Sequence, residues 1–143
     1  PFAELFRRAA ADAGHDPLPF SINSHGFLAD DSQRASDEAW PASQLLMNRI
    51  GRERGFTPVT REAYEAGHRL HGHTFTGSPQ QVIDKILYQH EIFRHDRFLL
   101  QFIVGSLPHR DVLHAIELFG TRVAPAVRAE IARKQADEAE GAS

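Results

Sequence analysis

The sequence predicts an α/β fold in which parallel strands alternate with covering helices. Three observations in residues 76–128 support this fold class. A helix is predicted to begin at Pro79, a continuous apolar run covers residues 97–105, and a second amphipathic helix follows the turn at residues 106–109. Helix, buried strand and helix in this order are typical of a parallel sheet with crossover helices. The carboxyl end of such a strand is where parallel-sheet proteins place their chemistry.

The helix beginning at Pro79 carries a complete start signal. Ser78 can cap the helix, Pro79 suits the first helical position, and Gln81 can reach back as the capping-box partner. Apolar residues then recur at helical spacing, which indicates one buried face; these are Val82, Ile83, Ile86, Leu87 and Phe93.

The run 97–105 is apolar on both faces apart from Gln101, as expected for a parallel strand covered on both sides. After it, a helix is predicted with a buried stripe formed by Val112, Ile116, Phe119 and Val123. The polar turn between these two elements is a predicted functional position, since it follows the carboxyl end of the strand.

The first half of the chain shows the same alternation. An amphipathic helix is predicted over residues 2–13, a strand over 18–28 and a helix over 38–50, with a short strand at 73–76. Pro41 is compatible with the third of these elements only if it lies in the first turn. The expected order is therefore helix, strand, helix, long loop, short strand, helix, strand, helix.

Residues 51–74 are polar, aperiodic and rich in glycine, so a mobile lid loop is predicted there within a domain of residues 1–128. Several arginines of this loop could close over an anionic ligand, although for any one of them a solvated charged loop is the favoured explanation. Residues 129–143 form a charged, alanine-rich tail that is expected to be a solvated helix fraying to disorder.

Composition excludes several classes of function. The chain has 143 residues, a net charge of −3 and no cysteine, so neither a basic nucleic-acid surface nor thiolate chemistry is expected. No apolar run approaches membrane-spanning length, and a cytoplasmic protein without membrane contact is expected. His68, His71 and His73 are close in sequence, but neither a helix nor a strand would aim all three at one metal, so no metal site is predicted.

Several short motifs together resemble the C-terminal part of the bacterial luciferase-like, flavin-dependent monooxygenases. The resemblance covers residues 2–128, and each motif is weak alone but stands in the order found in the family. The motifs are residues 14–17 (GHDP), 24–30 (SHGFLAD), 53–58 (ERGFTP), 77–82 (GSPQQV), 97–101 (RFLLQ) and, within 107–128, LPH, AIELFG and VAPAVR.

The resemblance implies a (β/α)8 TIM barrel of which this chain carries the C-terminal portion, about three of the eight strands. It also implies FMN, or deazaflavin F420 in some relatives, and a separate reductase that supplies reduced flavin to oxidise a small organic substrate. Because three strands cannot close a barrel, self-association or association with a missing N-terminal half of the barrel is expected.

His25 is the predicted catalytic residue. It lies near the carboxyl end of the first long strand, on the same parity as Asn23, and in the alkanesulfonate monooxygenase branch a matching His lines the flavin site. That branch has an Arg at the position of Asn23, so a sulfonate substrate is not expected, and Asn23 is a predicted cofactor contact. An imidazole here could act as acid or base near neutral pH. The alternative is a histidine that satisfies a loop backbone group.

Three further site residues lie on or after the last strand. Gln101 is predicted to face the flavin as a buried amide, or else to bind internal water. Leu107 and His109 are predicted substrate contacts, because the sulfonate branch has Gly-Tyr-Pro-His in this loop and Leu107 would turn that wall apolar. The alternative for His109 is a solvent-exposed histidine in the first helical turn.

Two classes of function remain open from the sequence. The first is a luciferase-like flavin-dependent monooxygenase, of which this chain would be an inactive fragment when alone. The second is a non-catalytic α/β unit whose open sheet edges are covered in an assembly.

Overall fold

A computed structural model describes residues 2–102 and 106–141 of the chain. The described residues form three parallel strands and seven helical segments, in an alternating α/β order. In chain order these elements are α1 (Phe2–Asp12), β1 (Ser21–Leu28), α2 (Ser32–Arg54), α3 (Arg61–His68), β2 (Phe75–Gly77), α4 (Pro79–Phe93), β3 (Arg97–Gln101), α5 (His109–Leu118), a π-helical turn (Phe119–Val123) and α6 (Ala124–Gly141). The predicted α/β class with parallel strands is confirmed.

The sheet has the order β2-β1-β3, with β1 hydrogen-bonded to both other strands. The carboxyl-terminal part of β1 pairs with β2, from Gly26 opposite Phe75 to Leu28 opposite Gly77. The amino-terminal part pairs with β3, from Ser21 opposite Arg97 to His25 opposite Gln101. Each partner therefore uses its own half of β1.

This pairing differs from the consecutive order of a closed barrel, in which β2 would separate β1 from β3. The physical reason lies in the length of β2, which has only three residues and leaves Ser21–His25 of β1 available to β3. The described residues form an open three-stranded sheet, and the closed barrel implied by the family resemblance is not seen among them.

The core lies on the helix-covered side of this sheet. Phe75, Leu28 and Val82 are fully buried, and Phe98 packs on Phe75 with ring centroids 4.9 Å apart. The opposite side of β3 is open, with Leu99 45% exposed. The expectation that both faces of this strand are covered is therefore not met by the described residues, and the predicted continuation at residues 103–105 lies outside them.

The start of α4 confirms the predicted capping box. The Ser78 hydroxyl accepts from the Gln81 backbone N–H, and the Gln81 side chain accepts from the Ser78 backbone N–H. Ser78 and Gln81 thereby satisfy two N–H groups that the helix itself leaves unpaired.

Helix α2 is longer than predicted at both ends. Asp31 caps it through the Arg34 backbone N–H at 2.8 Å, and Gly55 ends it in the left-handed conformation at φ 73°. Pro41 therefore lies inside the helix, so the expectation that it occupies the first turn was wrong. Proline lacks the N–H that would bond the carbonyl of Asp37, and the helix continues through a locally missing hydrogen bond.

The prediction of a continuous loop over residues 51–74 was also wrong. Its first residues are the last turn of α2, and residues 61–68 form α3, which Thr60 caps through the Ala63 backbone N–H. The connection between the two helices is tied to α2 because the Asn48 side chain accepts from the Val59 backbone N–H at 2.9 Å. A mobile lid in this segment stays a prediction.

The C-terminal tail is one helix as far as Gly141. It packs on α4 through ion pairs of Lys134 with Glu91 at 2.5 Å and of Arg94 with Glu138 at 3.0 Å. The predicted helix is confirmed, and the predicted fraying of its last residues falls partly outside the described residues. No described helix is both long and apolar enough to cross a bilayer.

Lys85 on α4 joins three elements although its side chain is buried. Its ammonium group donates to the carbonyls of Gly67 at 2.9 Å and Thr74 at 2.6 Å, and lies 5.1 Å from the ring centroid of Phe75. Burial lowers the pKa of Lys85 to about 8, whereas the two hydrogen bonds favour its charged form. Lys85 thus fixes the end of α3 and the approach to β2, which border the site described next.

Candidate functional site

A cavity of about 580 Å³ lies at the carboxyl-terminal part of β1, between the sheet and helices α2 and α3. Its volume is within the range of small-molecule sites, and its walls are mainly apolar. The lining residues are His25, Gly26, Phe27, Ala39, Ser43, Met47, Ile50, Arg54, Phe56, Thr57, Val59, Ala63, Tyr64, His73, Thr74, Thr76, Phe102 and Leu107.

The sheet contributes one face of alternate residues to this cavity. His25 and Phe27 are two positions apart on β1 and therefore project to the same side. Thr76 of β2 is the register partner of Phe27, which places its side chain on that side as well. Gln101 of β3 is the register partner of His25. Three strands thus bring an imidazole, a hydroxyl and an amide to one face.

Helix α2 forms the facing wall because its cavity-lining residues recur at helical spacing, at Ala39, Ser43, Met47 and Ile50. Helix α3 adds Ala63 and Tyr64. Tyr64, Ser43 and Thr76 were not predicted as site residues, although the spacing on α2 and the capping signal at Thr60 are both present in the sequence.

The predicted site residues divide into two groups. His25 and Leu107 line the cavity, as a catalytic residue and a substrate contact would. Asn23 and Gln101 lie on the same sheet face as His25, but they are exposed and outside the cavity wall. The expectation that Gln101 is buried was wrong, because no described element covers this side of β3.

His109 does not reach the cavity. It is the first residue of α5 and is exposed, which agrees with the alternative of a solvent-facing histidine in the first helical turn. Its predicted substrate contact has no support in the described structure.

Tyr64 forms the centre of the α3 wall and is 9% exposed. Its ring packs against Trp40, with centroids 4.9 Å apart, and against the edge of His68 at 4.3 Å. Among the described residues its buried hydroxyl has no hydrogen bond of good geometry, and Ser43 and Thr76 are its polar neighbours. Burial raises the pKa of Tyr64, so the phenol is a neutral donor at physiological pH.

Arg61 holds α3 against α2 and so positions Tyr64. Its guanidinium pairs with Asp37 at 2.6 Å, donates to the Ser36 hydroxyl at 2.9 Å and pairs with Glu65 at 2.6 Å. The same group lies 5.6 Å from the Trp40 ring centroid. Because the ion pairs are largely solvated, their main effect is to orient the helix rather than to stabilise the fold.

The three nearby histidines have separate environments. His68 contacts Tyr64, His71 packs edge-on against Tyr88 at 4.8 Å, and His73 lines the cavity. No group of three potential metal ligands is found within the part of the chain that the structure describes. The histidine cluster suggested by the sequence is therefore divided among three different contacts.

His68 is expected to make the fold acid-sensitive. Burial first, and then the charge of Lys85, lowers the pKa of His68 from 6.5 to about 4; Arg61 and His73 act in the same direction and Glu65 opposes it. The unfolded chain therefore binds the proton more readily, and stability is lost as the pH falls from about 6.5 towards 4. We expect a loss of about 1–2 kcal/mol from this residue, allowing for its partial exposure.

Urea unfolding at pH 7, 5.5 and 4 measures this effect. In His68→Asn the difference in unfolding free energy between pH 7 and pH 4 should be smaller than in the wild type by about 1–2 kcal/mol. His109→Asn, at an exposed position, is the control and should keep the wild-type difference. His90 and His95 also have pKa values lowered by burial and should preserve a smaller acid sensitivity in the variant. An unchanged difference in His68→Asn would show that His68 is not responsible.

Comparison with known proteins agrees with the fold. No protein-family model matches the chain. The uncharacterized protein y4vJ of Sinorhizobium fredii is 32% identical over 60 residues, which are 42% of this chain and 17% of that protein. This local match leaves most of both sequences uncompared.

Three solved structures share the fold over most of this chain. Monooxygenase RslO1 from Streptomyces bottropensis has a TM-score of 0.66, 24% identity and coverage of 86% of this chain and 36% of its own. The second structure is the oxygenating constituent of 3,6-diketocamphane monooxygenase from Pseudomonas putida, a type II Baeyer-Villiger enzyme in complex with FMN. It has a TM-score of 0.56 and 21% identity, and the match covers 85% of this chain and 38% of that structure. Apo-MsnO8 has a TM-score of 0.52, 17% identity and coverage of 86% and 41%. The chain thus spans about two fifths or less of each of these structures.

Proposed function

We propose that this chain forms part of a flavin-dependent monooxygenase of the luciferase-like type, in which His25 acts at the reacting end of the cavity. The observation that carries the proposal is the position of His25, in the carboxyl-terminal half of a parallel strand and on the wall of a mainly apolar cavity. The sequence resemblance and the two neighbouring structures described as monooxygenases, one with FMN, support the same function.

The residues present fit a flavin ring. The apolar walls suit the flat faces of an isoalloxazine, while Asn23 and Gln101 beside His25 offer hydrogen bonds to its polar edge. Arg54 on the cavity wall can pair with an anionic group of the cofactor. FMN is the proposed cofactor, with F420 as the alternative, and a separate reductase would supply it reduced.

Bound reduced flavin would supply the electrons that activate dioxygen for attack on a small organic substrate. The protein groups then have separate tasks. His25 can donate or accept a proton at a ring nitrogen, because an imidazole exchanges protons near neutral pH. Leu107 and Phe27 exclude water from the reacting atoms, which strengthens every polar interaction within the cavity.

A specific observation favours the second candidate, a non-catalytic assembly unit. Large apolar side chains are exposed at several places among the described residues, including Phe2 at 87% on α1 and Leu99 at 45% on β3. Such surfaces mark contacts with another polypeptide, either a second copy or the remaining strands of a barrel. In the first candidate the same surfaces are covered by the rest of the enzyme.

Flavin titration tests the first candidate, using protein expressed from its complete reading frame. We expect FMN or F420 to bind with micromolar or tighter affinity, measured by quenching of flavin fluorescence. Leu107→Asp should weaken binding at least about tenfold, because it places a charge in an apolar wall. Leu113→Asp is the matched control, since Leu113 is 52% exposed on α5.

Two results would contradict the proposal. Absence of binding to both flavins would favour the assembly unit, as would equal effects of Leu107→Asp and Leu113→Asp. Residues 1–143 alone should bind flavin more weakly than the protein from the complete reading frame, because the family resemblance assigns most phosphate contacts to upstream strands.

A further inference from the structure

One end of the cavity differs chemically from the rest. Phe27, Ala39, Ile50 and the other apolar side chains form most of the wall, but Ser43, Thr76 and Tyr64 meet where β2 faces α2 and α3. Thr76 is only 7% exposed and Tyr64 only 9%. Three hydroxyl groups are thus concentrated in a part of the cavity that is largely shielded from water.

The hydroxyl of Tyr64 lacks the hydrogen bond that a buried polar group normally makes. Within the described part of the chain it has no partner of good geometry, and the hydroxyls of Ser43 and Thr76 are its polar neighbours. An unsatisfied buried hydroxyl costs about 1–3 kcal/mol. A ligand that supplies the missing partner would recover much of this free energy, so the cluster favours an oxygen-bearing ligand.

The position of the cluster relative to His25 is set by the sheet. Thr76 is opposite Phe27, and Phe27 is two residues beyond His25 on the same face. Strand geometry then separates the Cα atoms of His25 and Thr76 by about 8 Å, from about 6.6 Å along the strand and 4.8 Å across it. A small molecule can therefore contact the hydroxyl cluster at one end and approach His25 with the other.

We propose that the Ser43–Thr76–Tyr64 cluster is a substrate-anchoring subsite that binds the carbonyl or hydroxyl oxygen of a neutral, mainly apolar molecule. This inference rests on the proposed function, since it assigns the substrate class of the same cavity. The Tyr64 hydroxyl donates to the ligand oxygen, and the hydroxyls of Ser43 and Thr76, its polar neighbours on the cavity wall, complete the contact. An anionic substrate is disfavoured because the arginine nearest the cluster, Arg61 at 5.9 Å from the Tyr64 ring centroid, is already paired with Asp37 and Glu65 and does not line the cavity.

A pair of probes that differ by one oxygen tests the subsite. Acetophenone and ethylbenzene have nearly the same shape, and only acetophenone carries a carbonyl. Each probe is titrated calorimetrically into protein from the complete reading frame. Thr76→Val should weaken the affinity for acetophenone about five- to tenfold and should leave the affinity for ethylbenzene within twofold of the wild type. Thr76→Ser, which keeps the hydroxyl, should bind acetophenone within twofold of the wild type.

Ser43→Ala provides a second variant at a position on α2, so the test does not depend on the folding of Thr76→Val. This variant should weaken the binding of acetophenone but not that of ethylbenzene. Equal losses of affinity for both probes, or an unchanged affinity for acetophenone in both variants, would overturn the anchoring subsite.

A parallel FMN titration separates this inference from the proposed function. FMN affinity should be unchanged in Thr76→Val, because the cluster binds substrate. Loss of FMN binding in this variant, or competition between FMN and acetophenone, would assign the cluster to the cofactor and overturn the inference. Selective binding of acetophenone by a wild-type protein that binds no flavin would support the subsite and contradict the monooxygenase.

Discussion

Gly26→Ala is expected to lower the free energy of unfolding by about 3 kcal/mol or more. A Cβ atom at Gly26 would lie 2.2 Å from the carbonyl oxygen and 2.6 Å from the carbonyl carbon of Phe75. Both are backbone atoms of β2, so no side-chain rotation can relieve the overlap. The strands must separate where Gly26 pairs with Phe75.

Urea unfolding followed by circular dichroism measures this loss. Gly120→Ala is the matched control, because a Cβ at Gly120 meets no atom within 4 Å. In this helical segment alanine should leave stability unchanged or raise it by up to about 1 kcal/mol. If Gly26→Ala were destabilised by less than about 1 kcal/mol, the close approach of β1 and β2 described above would be incorrect.

On the proposed function, His25→Ala is expected to reduce coupled substrate oxidation by about 10²–10⁴-fold, the range typical of general acid–base groups. The residue is exposed on the sheet face and lines the cavity, so its removal should leave the fold intact. Reducing equivalents should then appear increasingly as hydrogen peroxide rather than as oxidised product.

The measurement compares product formation, oxygen uptake and peroxide release in the protein from the complete reading frame, with a reductase supplying reduced flavin. His109→Ala is the control, because this exposed histidine lies outside the cavity wall. Equal coupling in His25→Ala and His109→Ala would return His25 to a structural role.

The sequence predicted those features that depend on neighbouring residues. The capping box of Ser78 and Gln81 is complete within four residues, and the structure shows both of its hydrogen bonds. The strand containing His25 was likewise predicted in position. Leu107 lines the cavity, but its predicted substrate contact stays a prediction.

The features that were missed or wrongly predicted from the sequence depend on long-range contacts. Helix α3 was missed because its single buried aromatic, Tyr64, packs on Trp40 of α2, and Arg61 of α3 pairs with Asp37 of α2, so long-range contacts rather than a local apolar repeat hold the helix. Gln101 was expected to be buried because an apolar strand pattern does not reveal which faces the rest of the protein covers. The hydroxyl cluster joins residues of α2, α3 and β2, and no local spacing brings these together.

The pairing of β1 also determines when the sheet can form during synthesis. Gly26 must wait for Phe75, 49 positions later, and Ser21 for Arg97, 76 positions later. At about 5–20 residues per second, a ribosome needs roughly 4–15 s to make the longer segment. Until β2 is made, β1 exists without either partner, and its amino-terminal half stays unpaired until β3 follows, while α2 can already form behind it. Of the three described strands, β1, which carries His25, therefore waits longest for its partners and depends most on protection from wrong pairing.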